Sequence, residues 1–127
     1  MELTDIYVFI DKVEKEFIFD FIKNWLIGFK TTDEVFEYPQ FFGDTELETN
    51  DYFEMLSFVL AEPNRNYNFY FENGNNLQNP KGMIFIQNNN MYLGIGVVPS
   101  YENHFINKLS EQYKQELIIC NGVLPYK

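Results

Sequence analysis

"MIFIQNNNMYLGIGVV", residues 83–98, decides the fold. Two apolar runs flank three asparagines. Asparagine tolerates the positive φ that tight hairpin turns require, so the stretch reads as two strands around a turn. In the second strand Met91, Leu93, Ile95 and Val97 share a face, and Gly94 and Gly96 fall on the other. Two glycines on one face call for a helix or another backbone packed closely there.

The same reading extends in both directions. Upstream, "NYNFYFEN" (66–73) alternates, with Tyr67, Phe69 and Phe71 on one side, as a half-buried strand does. "GNNLQNPKG" (74–82) is a turn-rich connection. Downstream, Pro99 and Ser100 open a helix over about 101–114, with Phe105, Leu109 and Tyr113, joined by Ile106, on its apolar side. "ELIIC" (116–120) is a last strand and "NGVLPYK" a tail. At the other end, "LTDIYVFI" (3–10) is apolar on both faces, which suits a strand inside the sheet. Asp11 is placed to cap a helix that runs to about Ile27, with Gly28 as its stop. Val13, Phe17, Phe21 and Trp25, with Ile18 and Ile22, form its apolar face. Residues 30–50 read as loop, with a short strand at "EVFEY" (34–38). A further helix over about 51–62 takes Thr49 or Asn50 as its cap and turns Phe53, Leu56, Val59 and Leu60 to the core. The order implies an α+β fold: a mostly antiparallel sheet of about five strands with helices packed on one face. No repeat or linker divides residues 1–127, so a single domain is expected.

Composition narrows the function. Apolar residues make up 46% of the chain and aromatics 19%, which excludes a disordered acidic tail. The formal net charge is −10, unevenly spread. Residues 1–62 hold 15 Asp and Glu against 4 Lys, while residues 63–127 hold 4 Glu against 5 Lys and Arg. Nucleic acid and anionic membrane surfaces repel such a chain, so neither is an expected partner. A basic protein is attracted, and its encounter is speeded. The start "MELTDIYVFIDKVEKEF" lacks a basic opening and a long apolar run, and no stretch approaches the ~18–20 apolar residues of a membrane span. A cytoplasmic location is expected.

No catalytic signature emerges. His104 stands alone among histidines, and Cys120 ends an apolar strand, as a packing thiol does. "LGIGVV" is followed by strand rather than helix, unlike a dinucleotide-binding turn. "DTELETND" spaces its oxygens like a calcium loop but has Thr49 at the sixth position and Met55 at the twelfth. Arg65 is the single arginine, too few for phosphate recognition. Neither enzymatic activity nor a bound cofactor or metal is expected.

One stretch remains. "TTDEVFEYPQFFGDTELETNDYFE" (31–54) holds eight carboxylates and six aromatics, with no lysine or arginine. Phe36, Phe41, Phe42 and Phe53 are expected beneath the loop as core, with the acids on its outer side. Partner contacts are expected at Asp33, Glu34, Glu37, Tyr38, Asp44, Glu46, Glu48, Asp51 and Glu54. Carboxylates there repel wrong partners and draw cationic ones, mainly by raising the on-rate.

The second half of the chain also resembles the C-terminal half of small bacterial immunity proteins of polymorphic toxin systems, including contact-dependent growth inhibition. The resemblance rests on an aromatic strand ending in asparagine (Tyr67–Asn73), a "G-x-I/F-F"-type strand (Gly82–Ile86) and a short turn. It continues through a strand of the "x-Y/L-x-L-G-I/L-x-V" type (Met91–Val97), a helix (Ser100–Tyr113) and a last strand leading to proline (Leu117–Pro125). Phe69 or Phe71 stands where the family has Trp, and Tyr126 where it has a second proline. The resemblance implies an immunity protein that binds one cognate toxin domain, the C-terminal domain of a basic and nuclease-like protein, and blocks its active site. The alternative is a small-ligand-binding or regulatory α+β domain. The oligomeric state is not legible.

Overall fold

The structure, a computed structural model, describes residues 2–124. Among these residues twelve elements follow the expected order with three short additions. They are β1 (Thr4–Ile10), α1 (Lys15–Trp25), β2 (Lys30–Thr31), β3 (Phe36–Tyr38), β4 (Leu47–Thr49) and α2 (Tyr52–Leu60). Then come β5 (Tyr67–Glu72), β6 (Lys81–Gln87), β7 (Asn90–Val97), a 3₁₀ turn (Pro99–Tyr101), α3 (Glu102–Tyr113) and β8 (Leu117–Cys120). Six strands form one antiparallel sheet in the order β2-β5-β6-β7-β1-β8, and β3 and β4 form a separate hairpin. The architecture is α+β, with three helices against one face of the sheet. Pro125 and Tyr126, invoked in the family resemblance, lie outside the described residues.

The central hairpin is built as its sequence dictates. Gln87 pairs with Asn90, and Asn88 and Asn89 take φ of 53° and 66° between them. Ile6, Val8 and Ile10 of β1, Tyr67, Phe69 and Phe71 of β5, and Met91, Leu93, Ile95 and Val97 of β7 point into one core. Ile18 and Phe21 of α1, Met55, Leu56 and Val59 of α2, and Phe105, Leu109 and Tyr113 of α3 close it from above. β1 lies between β7 and β8, as its two apolar faces require.

The opposite face carries a second apolar cluster of Tyr7, Met83, Phe85, Tyr92 and Leu124. This corrects the reading of the two glycines. No helix or backbone covers Gly94. It sits between Tyr7 and Met83 in register, and the Tyr7 ring lies where its Cβ would be. Gly96 opens a gap between Lys81 and Asp5 in the same way.

Helix limits also differ from expectation. Asp11 does not cap α1. The chain bends at Asp11 and Lys12 and is extended at Glu14, whose N–H reaches the Met91 sulfur at 3.4 Å, and the helix begins at Lys15. Four residues are used to climb from the sheet to the helical layer. α1 ends at Trp25, because Leu26 turns inward over Gly82 and leaves Ile27 in water. α2 is capped by Asp51 rather than Thr49 or Asn50. That start places Tyr52, Met55, Leu56 and Val59 on the inner stripe and turns Phe53 outward, 44% exposed.

Gly94→Ala is expected to cost about 1–3 kcal/mol, because the buried Tyr7 ring must shift to admit a methyl group. Gly74→Ala, with nothing within 4 Å of the added atom, is the control. Denaturant unfolding of both variants checks this, and equal losses would contradict it.

Candidate functional site

Residues 30–40 run along the outer edge of β5 and are fastened to it repeatedly. Lys30 and Thr31 pair with Glu72 and Phe71, and the Thr32 N–H donates to the Tyr70 carbonyl at 3.0 Å. The Glu37 N–H donates to the Tyr67 hydroxyl at 3.2 Å. Gln40 takes the place of a strand peptide. Its Nε2 donates to the Asn68 carbonyl at 2.9 Å, and its Oε1 accepts from the Asn68 N–H at 2.8 Å. Gln87 Nε2 donates to Asn68 Oδ1 at 2.8 Å and steadies the same residue from β6. The edge of β5 is thus satisfied and closed to other strands.

Rings fix the underside of the β3–β4 hairpin. Phe36 is 2% exposed and lies 6.1 Å from Phe69, centroid to centroid. Tyr38 meets Phe58 of α2 edge-on at 5.3 Å, and Tyr52 meets Phe71 at 5.3 Å. The Arg65 guanidinium stands 3.7 Å over the Phe58 ring and donates to the Phe58 carbonyl. The single arginine therefore clamps the end of α2 near this hairpin.

The carboxylates occupy the other side. Glu37 and Glu48 face each other in register, and Glu46, whose N–H donates to the Tyr38 carbonyl at 2.8 Å, immediately precedes the strand. Like charges placed directly opposite oppose pairing by roughly 0.2–1 kcal/mol. The Thr45 hydroxyl donates to Glu37 Oε1 at 2.7 Å. Asp44 stands at the tip. Asp51 Oδ1 accepts the Phe53 N–H at 2.9 Å, and Glu54 lies in the first turn, both favoured by the positive end of α2. Asp33 and Glu34 line a shallow cleft of about 420 Å³ beside Lys30 and Glu72. Burial pushes the Tyr67 phenol above its ordinary value, and the charges of Asp33 and Glu37 push the same way against the Glu37 amide. Both carboxylates thus bear on one phenol.

All eight carboxylates are exposed. Among the described residues none of them takes part in an ion pair; the two pairs found, Lys12–Glu14 at 2.7 Å and Lys30–Glu72 at 3.9 Å, lie outside the set. Tyr38 is half-buried and turned inward, so its ring serves the anchor while its neighbours face solvent. No group of three or more His, Cys, Asp or Glu among the described residues is placed to hold a metal ion. A cleft of about 510 Å³ lies elsewhere, between the residues that lead into α1 and the end of α2. Its charged lining, Asp11, Lys12, Glu62 and Arg65, has two of each sign and so no net charge.

Three expected core rings are not core: Phe53 faces outward from α2, and two loop rings join it. Phe41 is 72% exposed and Phe42 is 90% exposed, both in the loop between β3 and β4. Pro39 and Gly43 bracket them, in a loop (39–46) that carries both rings away from the core. Sequence reasoning also passed over Gln40, whose role depends on lying beside Asn68. No family model, curated protein or solved structure matches the chain.

Replacing Gln40 by Ala leaves both main-chain groups of Asn68 without this partner. A loss of about 1–3 kcal/mol is expected, together with faster hydrogen exchange at the Asn68 amide. Unchanged exchange there would show that Gln40 does not hold the segment.

Proposed function

We propose that this protein is an immunity protein: a stoichiometric inhibitor that binds a basic, nuclease-like toxin domain and covers its active site. The observation that carries the reading is the acidic outer side of residues 33–54. Eight exposed carboxylates, without an ion-pair partner among the described residues, stand on a segment whose other side is fastened to β5 and α2. A nuclease needs a cationic groove for phosphates. Carboxylates held in a row present the same sign of charge to that groove, and the inhibitor performs no reaction of its own.

Rigid placement matters to the proposal. Long acidic side chains on a disordered tail would lose freedom on docking. Here the backbone beneath them is already ordered, so that part of the cost falls on folding rather than on binding. The resemblance of residues 67–125 to immunity proteins supports the same reading. No helix among the described residues is long and apolar enough to cross a membrane, and inhibition in the cytoplasm is the proposed setting.

The test uses the protein domain encoded immediately upstream of this chain, which the proposal expects to be a basic toxin domain. Wild-type protein is expected to bind it with an on-rate that falls steeply with salt, as steered association does. Joint Glu37→Lys, Glu46→Lys and Glu48→Lys replacement is expected to slow association by about tenfold or more at low salt, with a smaller change in dissociation. Binding that survives these reversals unchanged would move the interface elsewhere.

A further inference from the structure

The exposed ring pair at the hairpin tip is not explained by charge steering. Phe36, five residues earlier, is 2% exposed, while Phe41 and Phe42 stand 72% and 90% exposed. Single exposed apolar residues are ordinary, but adjacent large rings at a loop tip are not, and exposed apolar surface marks interaction sites.

The pair is also held. Gln40, just before it, is bound through its side chain to both main-chain groups of Asn68. Gly43, just after it, takes φ of 111° and packs against Pro39, with a built Cβ 3.2 Å from the proline ring. Any larger residue at Gly43 would meet both the unfavourable φ and the proline. Beside the rings Asn64, Asn66 and Gln87 line a shallow hollow of about 360 Å³, a rim of neutral amides next to an apolar projection. Apolar rings on a fastened loop, with polar groups around them, are the parts of an interface hot spot.

We infer that Phe41 and Phe42 enter an apolar socket set within the cationic surface of a basic partner protein. The inference rests on the proposal that residues 33–54 dock on such a protein, and it adds what the partner must carry. The charge of the surroundings selects this occupant. Asp44 follows the pair directly and Glu46 comes two residues later, with no lysine or arginine from 31 to 54. A second copy of this chain would bring the same acids face to face, and an anionic membrane would repel them. Lysine or arginine at the socket rim meets both the carboxylates and the ring faces. The division of labour is specific: the carboxylates govern arrival, and the rings govern residence.

The experiment compares wild type with the joint Phe41→Ala and Phe42→Ala variant by surface plasmon resonance against the upstream-encoded domain that the proposal expects to be the toxin. Both rings are exposed, so the melting temperature is expected to stay within about a degree of wild type, which keeps the variant folded. Dissociation is expected to be about tenfold faster or more, with association within about twofold. Joint Phe41→Leu and Phe42→Leu replacement should restore most of the residence time. Equal dissociation rates for wild type and the alanine variant overturn this inference and leave the parent proposal standing. Failure of wild type to bind the domain removes both. Self-association of wild type that the alanine variant abolishes would assign the rings to a second copy and overturn the inference.

Discussion

The burial of Phe36 against Phe69 is the contact on which the acidic segment depends. Without it, residues 33–54 would be a charged chain that repels itself. Removing one such side chain from water contributes about 1.5–3 kcal/mol. The two hydrogen bonds from Gln40 to Asn68 add about 0.5–1.5 kcal/mol each. Opposition between Glu37 and Glu48 costs roughly 0.2–1 kcal/mol. These contacts outweigh that one opposition. Aromatic and acidic residues share one stretch because a minority of its side chains hold it down while most face water.

That arrangement links the sheet to the proposed activity. β5 supplies the edge, with Tyr67, Phe69 and Phe71 turned into the core and Asn68 offering its main chain outward. α2 supplies the second wall through Phe58, clamped by Arg65. Neither element needs to move for the carboxylates to face a partner. On the proposed reading, charge accelerates encounter and the tip rings prolong the complex, so affinity and specificity rest on different atoms of one hairpin.

Much of the fold was legible because short-range rules settled it. Asn88 and Asn89 announced their turn by their tolerance of positive φ, and the alternation of Tyr67, Phe69 and Phe71 announced the buried side of β5. Where the sequence misled, the deciding neighbour was distant. Gly94 calls for something close, but only the register of β1 and β7 reveals that it is the Tyr7 ring. Phe53 lost its core place because the cap moved to Asp51, a shift too small for periodicity to resolve. β2 and β4, two and three residues long, carry no period at all. In the candidate site, the exposure of the carboxylates followed from their charge. The exposure of Phe41 and Phe42 did not follow from hydrophobicity, which argued for the core; both lie in the β3–β4 loop, where Gly43 comes back against Pro39 and the rings stand in solvent.

The central claim is that uncompensated carboxylates are held together against their own repulsion, and salt tests it without any partner. Raising sodium chloride from roughly 0.01 to 1 M shortens the screening length from about 30 Å to about 3 Å. The melting temperature should rise across that range, and the rise should shrink when Glu37, Glu46 and Glu48 are replaced together by Gln. A melting temperature that is flat or falls with salt, or a rise that the three replacements leave intact, would contradict the account.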